Sequence, residues 1–268
     1  MLWIFLFFIG LFVGVFGTLI GAAGGFLLVP ILLFLYPEDT PATITSITLT
    51  VAFFNALSGS VAYGRLRRVD YRSGLLFTLA SVPGAVIGAN ITAFLSRGIF
   101  QTIFGVTLII IAGYLIIRPE RKNAGVAVTR HLVRKMTDSH GNTYTYFYNR
   151  ILGIAIAFIV GLMSGLLGIG GGIIHVPALT QLLYFPAHIA TATSHFVVMP
   201  TTLAAIITHV ASGVFTESVS RAAVLSVGAI IGAQFGARLS HRVSAVLIVR
   251  LLAAGLAVVA IRLLVAPL

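Results

Sequence analysis

The amino-acid sequence predicts an all-α membrane protein made of two repeated halves with four apolar segments each, and three observations carry that prediction. Of its 268 residues, 59% are hydrophobic and only 9% are charged, where about 25% charged is ordinary for a soluble domain. A glycine-rich block at residues 14–30, GVFGTLIGAAGGFLLVP, returns 147 positions later at 161–177 as GLMSGLLGIGGGIIHVP, with seven of seventeen positions identical. Apolar runs fall four and four, at about residues 2–36, 42–62, 73–95 and 99–117, then 151–185, 188–212, 221–239 and 243–264. Repeated halves whose helices break at glycine are a common construction of secondary transporters.

Taken in order, the first run, MLWIFLFFIG, has no basic region before it and passes straight into the repeat, so it is expected to stay in place and not be cleaved as a signal peptide. A spanning helix needs roughly 20 residues, and six runs have about that length. The first and fifth are about 35 residues, roughly 52 Å as one helix at about 1.5 Å per residue, too long for one crossing and too short for two. Each is read as a longer helix, a non-helical break at Gly21 to Gly25 or Gly168 to Gly172, and a short second helix starting near Pro30 or Pro177. Such a break survives at membrane depth only where protein or water satisfies its backbone.

Charge divides the chain into a membrane repeat at 1–117, a basic linker at 118–150 and a second membrane repeat at 151–268. The net charge of +11 would suit nucleic acid, but four of the seventeen basic residues lie between Arg65 and Arg72 and seven between Arg118 and Arg150. Clusters of this kind between apolar runs mark cytoplasmic loops. Glu38 and Asp39 fall on the opposite side. If the long runs re-enter and return, the halves are inverted, the loop with Arg238 and Arg242 is cytoplasmic and the 213–220 loop external; if they cross once, the halves are parallel. The basic residues favour inversion. The linker alternates like two strands about Asp138 to Gly141, and either a hairpin or a disordered connector fits it.

The candidate site gathers at the breaks. Gly21, Gly24, Gly25, Gly168, Gly170, Gly171 and Gly172 allow a sharp turn or a ligand's close approach, and the short helix after each break would offer free N–H groups and a positive dipole end to an anion. The alternative is close helix packing through small residues. Thr45 and Ser46 recur as Thr193 and Ser194, hydroxyls that could bind anion oxygens or their own backbone. GAVIGANI at 84–91 is echoed by GAIIGAQF at 228–235, which aligns Asn90 with Gln234 in the substrate path or as glue between helices. Intramembrane His175, His195 and His209 are candidates for proton coupling, and Arg250 for anion contact. The chain has no cysteine, the histidines lack companions at ligand spacing, no GK[ST] follows the glycines, and neither paired carboxylates nor a nucleophile motif occur. No metal, cofactor, nucleic acid or catalysis is expected.

The block at 161–179, its copy at 14–30, the Thr-Ser pair after each and the GAxIGA segment together resemble the TauE/SafE family of sulfite and organosulfonate exporters, over both halves and not the linker. The resemblance implies a multi-pass protein of the bacterial inner membrane that exports small sulfur-containing anions such as sulfite, sulfonates or sulfoacetate, with lipid and the anion as partners; a homodimer is left open. The first copy departs from the pattern, with Ala22-Ala23 where the second has Ile169-Gly170. The competing class is an anion channel or a non-transporting membrane scaffold, in which the glycines only pack.

Overall fold

A computed structural model describes residues 2–117, 132–139, 141–214 and 219–240. The described chain is mostly helical. In order it forms α1 (Leu2–Ile20), α2 (Gly25–Leu35), α3 (Pro41–Arg65), α4 (Tyr71–Thr92), α5 (Arg97–Ile117), β1 (Leu132–Thr137), β2 (Thr143–Tyr148), α6 (Arg150–Leu167), α7 (Gly172–Gln181), α8 (Ala187–Ala211) and α9 (Val219–Leu239). Six of these, α1, α3, α4, α6, α8 and α9, are long and apolar enough to cross a membrane. The eighth apolar run, at 243–264, lies outside the described residues, as do Arg242 and Arg250.

Helix starts follow from local chemistry. Thr40 caps α3 by accepting from the Thr43 amide with Pro41 in the first turn, Asp70 caps α4 through the Ser73 amide, and Asn149 caps α6 through the Ile151 and Leu152 amides. The two short helices start differently, and here one expectation is corrected. They begin at Gly25 and Gly172, not near the prolines, so Pro30 and Pro177 lie inside them. The left-handed residues Gly24 and Gly171 turn the chain, and their carbonyls at once accept from Leu27 and Leu28, and from Ile174 and His175. A proline six residues into the helix then costs only one amide.

Small residues set how the long helices pair. A Cβ at Gly14 of α1 would stand 2.7 Å from the Cα of Ala229 in α9, and Gly228, Gly232 and Gly236 approach α1 successively at Phe7 to Leu11, Leu11 to Val15 and Val15 to Thr18. The two helices therefore run side by side in the same direction. The counterpart pair does likewise: a Cβ at Gly161 of α6 would lie 2.8 Å from the Ser81 Cα of α4, and one at Gly165 2.9 Å from the Ala85 carbonyl carbon. The first helix of each half thus packs on the third long helix of the other, through glycine seams that let backbones approach closely. Between them α3 and α8 cross in opposite directions, with Thr45 beside His209 at one end and Gly59 against His195 at the other.

The linker takes the hairpin reading of the two its sequence allowed and adds a small sheet to the mostly helical chain. β1 and β2 pair antiparallel from Leu132↔Tyr148 to Thr137↔Thr143, closed by Asp138 and a left-handed Gly141. Tyr144, Tyr146 and Tyr148 share the inward face. Arg68 pairs with Asp138 at 3.5 Å and the Ser139 amide donates to the Leu66 carbonyl, so the hairpin sits at the same end as the 65–72 loop. Ala237 of α9 clusters with Tyr63 and Val69 at that end, while Asp39 and Arg221 meet at the other, 2.7 Å apart.

Candidate functional site

The two breaks are built alike although their sequences differ. Gly21, Ala23 and Gly24 have φ of 82°, 51° and 80°; Gly168, Gly170 and Gly171 have 69°, 71° and 74°. Ala23 therefore keeps the left-handed backbone of its counterpart Gly170 without being glycine, a conformation that costs an L-residue about 1–2 kcal/mol. The first copy has lost part of its motif and kept the turn.

The breaks also meet. A Cβ on Gly25 would fall 2.6 Å from the Gly168 carbonyl oxygen and 2.8 Å from the Ile169 carbonyl carbon, and one on Gly172 would fall 2.6 Å from the Ala22 Cα. Residues 21–26 and 168–173 are all buried. The amides of Gly25, Phe26, Gly172 and Ile173, in the first turns of α2 and α7, have no carbonyl one turn earlier in their helix to accept them. Two positive helix ends from opposite halves thus converge on one buried region, the arrangement that attracts an anion.

Around that region the sequence-derived candidates divide. Thr45 backs the second break: a Cβ on Gly168 would stand 2.9 Å from its Cα, and its hydroxyl donates to the Ala42 carbonyl and lies 3.4 Å from His209 Nε2. Ser194 backs the first, donating to the Gly21 carbonyl at 3.1 Å. Ser46 turns its hydroxyl to the Thr43 carbonyl at 2.7 Å. Thr193 is not at the breaks; its hydroxyl accepts from the Asp70 amide at the hairpin end. Asn90 is exposed and donates to Val86 of its own helix, whereas Gln234 donates to both the carbonyl and hydroxyl of Ser58. The aligned carboxamides do not share an environment, because only α9 packs its amide against α3. His175 and His195 are buried against aromatic rings, Phe77 and Tyr63.

Three groups of buried polar side chains at or near the candidate site escaped the sequence reading. Asn55, fully buried, accepts from the Thr18 hydroxyl at 2.7 Å and donates to the Gly14 carbonyl, tying α3 to the first break. Ser164, fully buried, lies beside Gly171 and its hydroxyl has no hydrogen-bond partner among the described residues. Asp70 gathers Ser73, Tyr146 and Arg134 under the hairpin. Burial and the nearby Asp70 carboxylate raise the Tyr146 pKa well above that of a free tyrosine, so its hydroxyl stays protonated and donates. The only advance signal for Ser164 and Asn55 was a polar residue inside an apolar run.

In sequence, the chain is similar to known membrane proteins. The model of the family described as sulfite exporter TauE/SafE matches residues 6–263. The chain is 35% identical over 250 residues to the probable membrane transporter protein YunE of Bacillus subtilis, covering 91% of this chain and 90% of that one. It is 24% identical over 251 residues to a probable membrane transporter protein of Methanocaldococcus jannaschii, covering 88% and 85%. No solved structure matches the chain.

Proposed function

We propose, from the premise that this chain belongs to the sulfite exporter TauE/SafE family and is a multi-pass membrane transporter, that it is a secondary exporter of small sulfur-containing anions such as sulfite, sulfonates or sulfoacetate. The observation that carries this reading is the meeting of two broken helices from opposite halves, their first-turn amides converging on one buried region near the middle of the bundle. An anion there is held by backbone dipoles that need no counter-charge, and dipoles release it more readily than a buried cation would.

The helix directions support an inverted repeat of four segments per half. α1 and α3 run parallel to α9, while α6 and α8 run parallel to α4 and opposite to α3. A short α2 therefore returns to the side where α1 began, and α7 does the same on the opposite side. That arrangement lets one half rock against the other about a fixed midplane site. The end carrying the 65–72 loop and the hairpin of the 118–150 linker is cytoplasmic, in keeping with its basic residues. His209, next to Thr45 behind the second break, is the histidine best placed to couple a proton to the anion.

Counterflow in proteoliposomes tests the reading. Vesicles with the protein and preloaded with sulfite should take up labelled sulfite above protein-free vesicles, and competition by sulfonates or sulfoacetate should reduce it. Equal uptake in both vesicles for every such anion leaves the glycine block a packing device and favours a scaffold. Uptake that never saturates indicates a channel.

A further inference from the structure

The two breaks share a backbone but not their polar surroundings. Ser164 of α6 is fully buried, and its hydroxyl bonds to nothing in the described residues. Other buried helix hydroxyls, those of Thr45, Thr48, Thr50, Thr201 and Thr202, each donate to a carbonyl three or four residues back, and of the four helix hydroxyls left unpaired among the described residues, Ser60, Thr78, Ser164 and Ser226, only that of Ser164 stands against a glycine of either break. Ser164 could satisfy itself in the same way and does not. A Cβ on Gly171, the residue that opens α7, would stand 3.2 Å from the Ser164 Cβ and 3.5 Å from its Oγ, yet α7 has no side-chain cap. One turn further along α7, His175 is buried and its Nδ1 also lacks a partner among the described residues.

The first half offers neither group. At the repeat spacing of 147, Ser164 corresponds to Gly17 and His175 to Leu28. A Cβ on Gly17 would lie 2.7 Å from the Gly24 Cα, so α1 and the first break are already in contact. The hydroxyls near that break are committed: Thr18 to the Asn55 side chain, Ser194 to the Gly21 carbonyl, and Tyr63 to the Thr18 carbonyl.

We propose that a single anion is bound by the first-turn amides of α7 together with the Ser164 hydroxyl, and that the α2 break is the scaffold against which this site is held. The proposal rests on the anion-transport reading and narrows it to one half. A buried hydroxyl left unpaired is a cost to the fold, and an oxyanion at the end of α7 is the acceptor that removes it.

The test compares Ser164→Ala, Ser164→Gly and Ser194→Ala in two assays with sulfite as the probe: thermal unfolding of purified protein with and without sulfite, and counterflow in proteoliposomes. For Ser164→Ala the melting temperature without sulfite should hold or rise, whereas Ser164→Gly should lower it by the small cost of glycine inside a helix. In both, the sulfite-dependent shift should shrink, and the half-saturating concentration should increase about tenfold, as expected for loss of one hydrogen bond to a charged ligand. Ser194→Ala should lower the melting temperature without sulfite and keep the sulfite shift. The proposal is overturned if Ser164→Ala lowers the ligand-free melting temperature and keeps the shift, since Ser164 is then structural, or if Ser194→Ala alone loses the shift. If the wild-type protein neither shifts with nor transports sulfite, an alkanesulfonate or sulfoacetate, the anion-transport reading fails first and this proposal with it.

Discussion

Gly172→Ala should lower stability and transport together, because the two breaks interlock through backbone atoms that cannot rotate away. The added Cβ would clash with the Gly21 carbonyl oxygen and stand 2.6 Å from the Ala22 Cα, and ordinary contact begins at 3.4 Å, so the breaks must separate by more than about 0.8 Å. Overpacking of this kind costs about 1–3 kcal/mol, partly offset by up to about 1 kcal/mol from replacing a helical glycine with alanine. Gly25→Ala meets the same barrier from the other side, 2.6 Å from the Gly168 oxygen. Once one Cβ has parted the breaks, the second fits more easily, so the double variant should cost clearly less than the sum of the singles. Gly113→Ala is the control, since no described residue lies within 4 Å of its Cβ position; it should leave the melting temperature unchanged or raise it. Thermal unfolding of purified variants and sulfite counterflow read the outcome. Wild-type melting and transport in Gly172→Ala, or strict additivity in the cycle, would refute the claim that the breaks bear on each other.

Four further expectations concern the site and the ends of the molecule. A bulky residue at Gly171, such as Gly171→Leu, should abolish transport, because φ of 74° already strains any Cβ and Val160 and Ser164 stand 3.0 Å and 3.2 Å from it; normal counterflow in a well-expressed variant would contradict this. Arg221→Ala removes both the ion pair to Asp39 and the stacking of its guanidinium 4.3 Å above the Tyr36 ring; a double-mutant cycle with Asp39→Ala should give a coupling near 1 kcal/mol that shrinks at high salt. Because the folded pKa of Tyr146 is raised, its docking energy is fully present below the free tyrosine value of about 10 and lost as pH climbs past it; protease protection of the hairpin should hold through neutral pH and fall in strong alkali, and Tyr146→Phe should lower it at neutral pH. Cysteines at the exposed Arg67 and Lys135 should react with an impermeant reagent from one side of the membrane and one at Glu38 from the other; labelling of all three from the same side would refute the arrangement of the ends.

Much of the fold could be read from the sequence because lipid leaves few options: an apolar run of about 20 residues has to satisfy its own backbone as a helix. Length alone then exposed the first and fifth runs as broken, and the repeat located both breaks. What the sequence could not place was anything set by which helix faces which. Asn90 and Gln234 align in the repeat, but one reaches only Val86 of its own helix and the other caps Ser58 of α3. Thr193 reads as a partner of Ser194, yet neighbours on a helix lie about 100° apart; Ser194 reaches Gly21 and Thr193 reaches Asp70.

The ends of the short helices show the same limit most clearly, because the repeat that makes α2 and α7 alike at their starts does nothing to make them alike where they return. At the end of α2, the Arg97 guanidinium donates to the carbonyls of Leu33, Tyr36 and Asp39, placing a cation at the negative end of the helix. Beyond the end of α7 there is an aromatic cluster instead: Phe185 packs at 4.5 Å and 5.2 Å on Tyr146 and Tyr148 of the hairpin, and Phe77 links that cluster to His175. Charge holds one end, and the hairpin, supplied by a segment outside the repeat, holds the other. A transporter that exposes its midplane to each side in turn must loosen these ends alternately. In the transport cycle proposed above, the two motions would therefore release different interactions, one built on a cation and the other on aromatic packing, although they start from one repeated backbone.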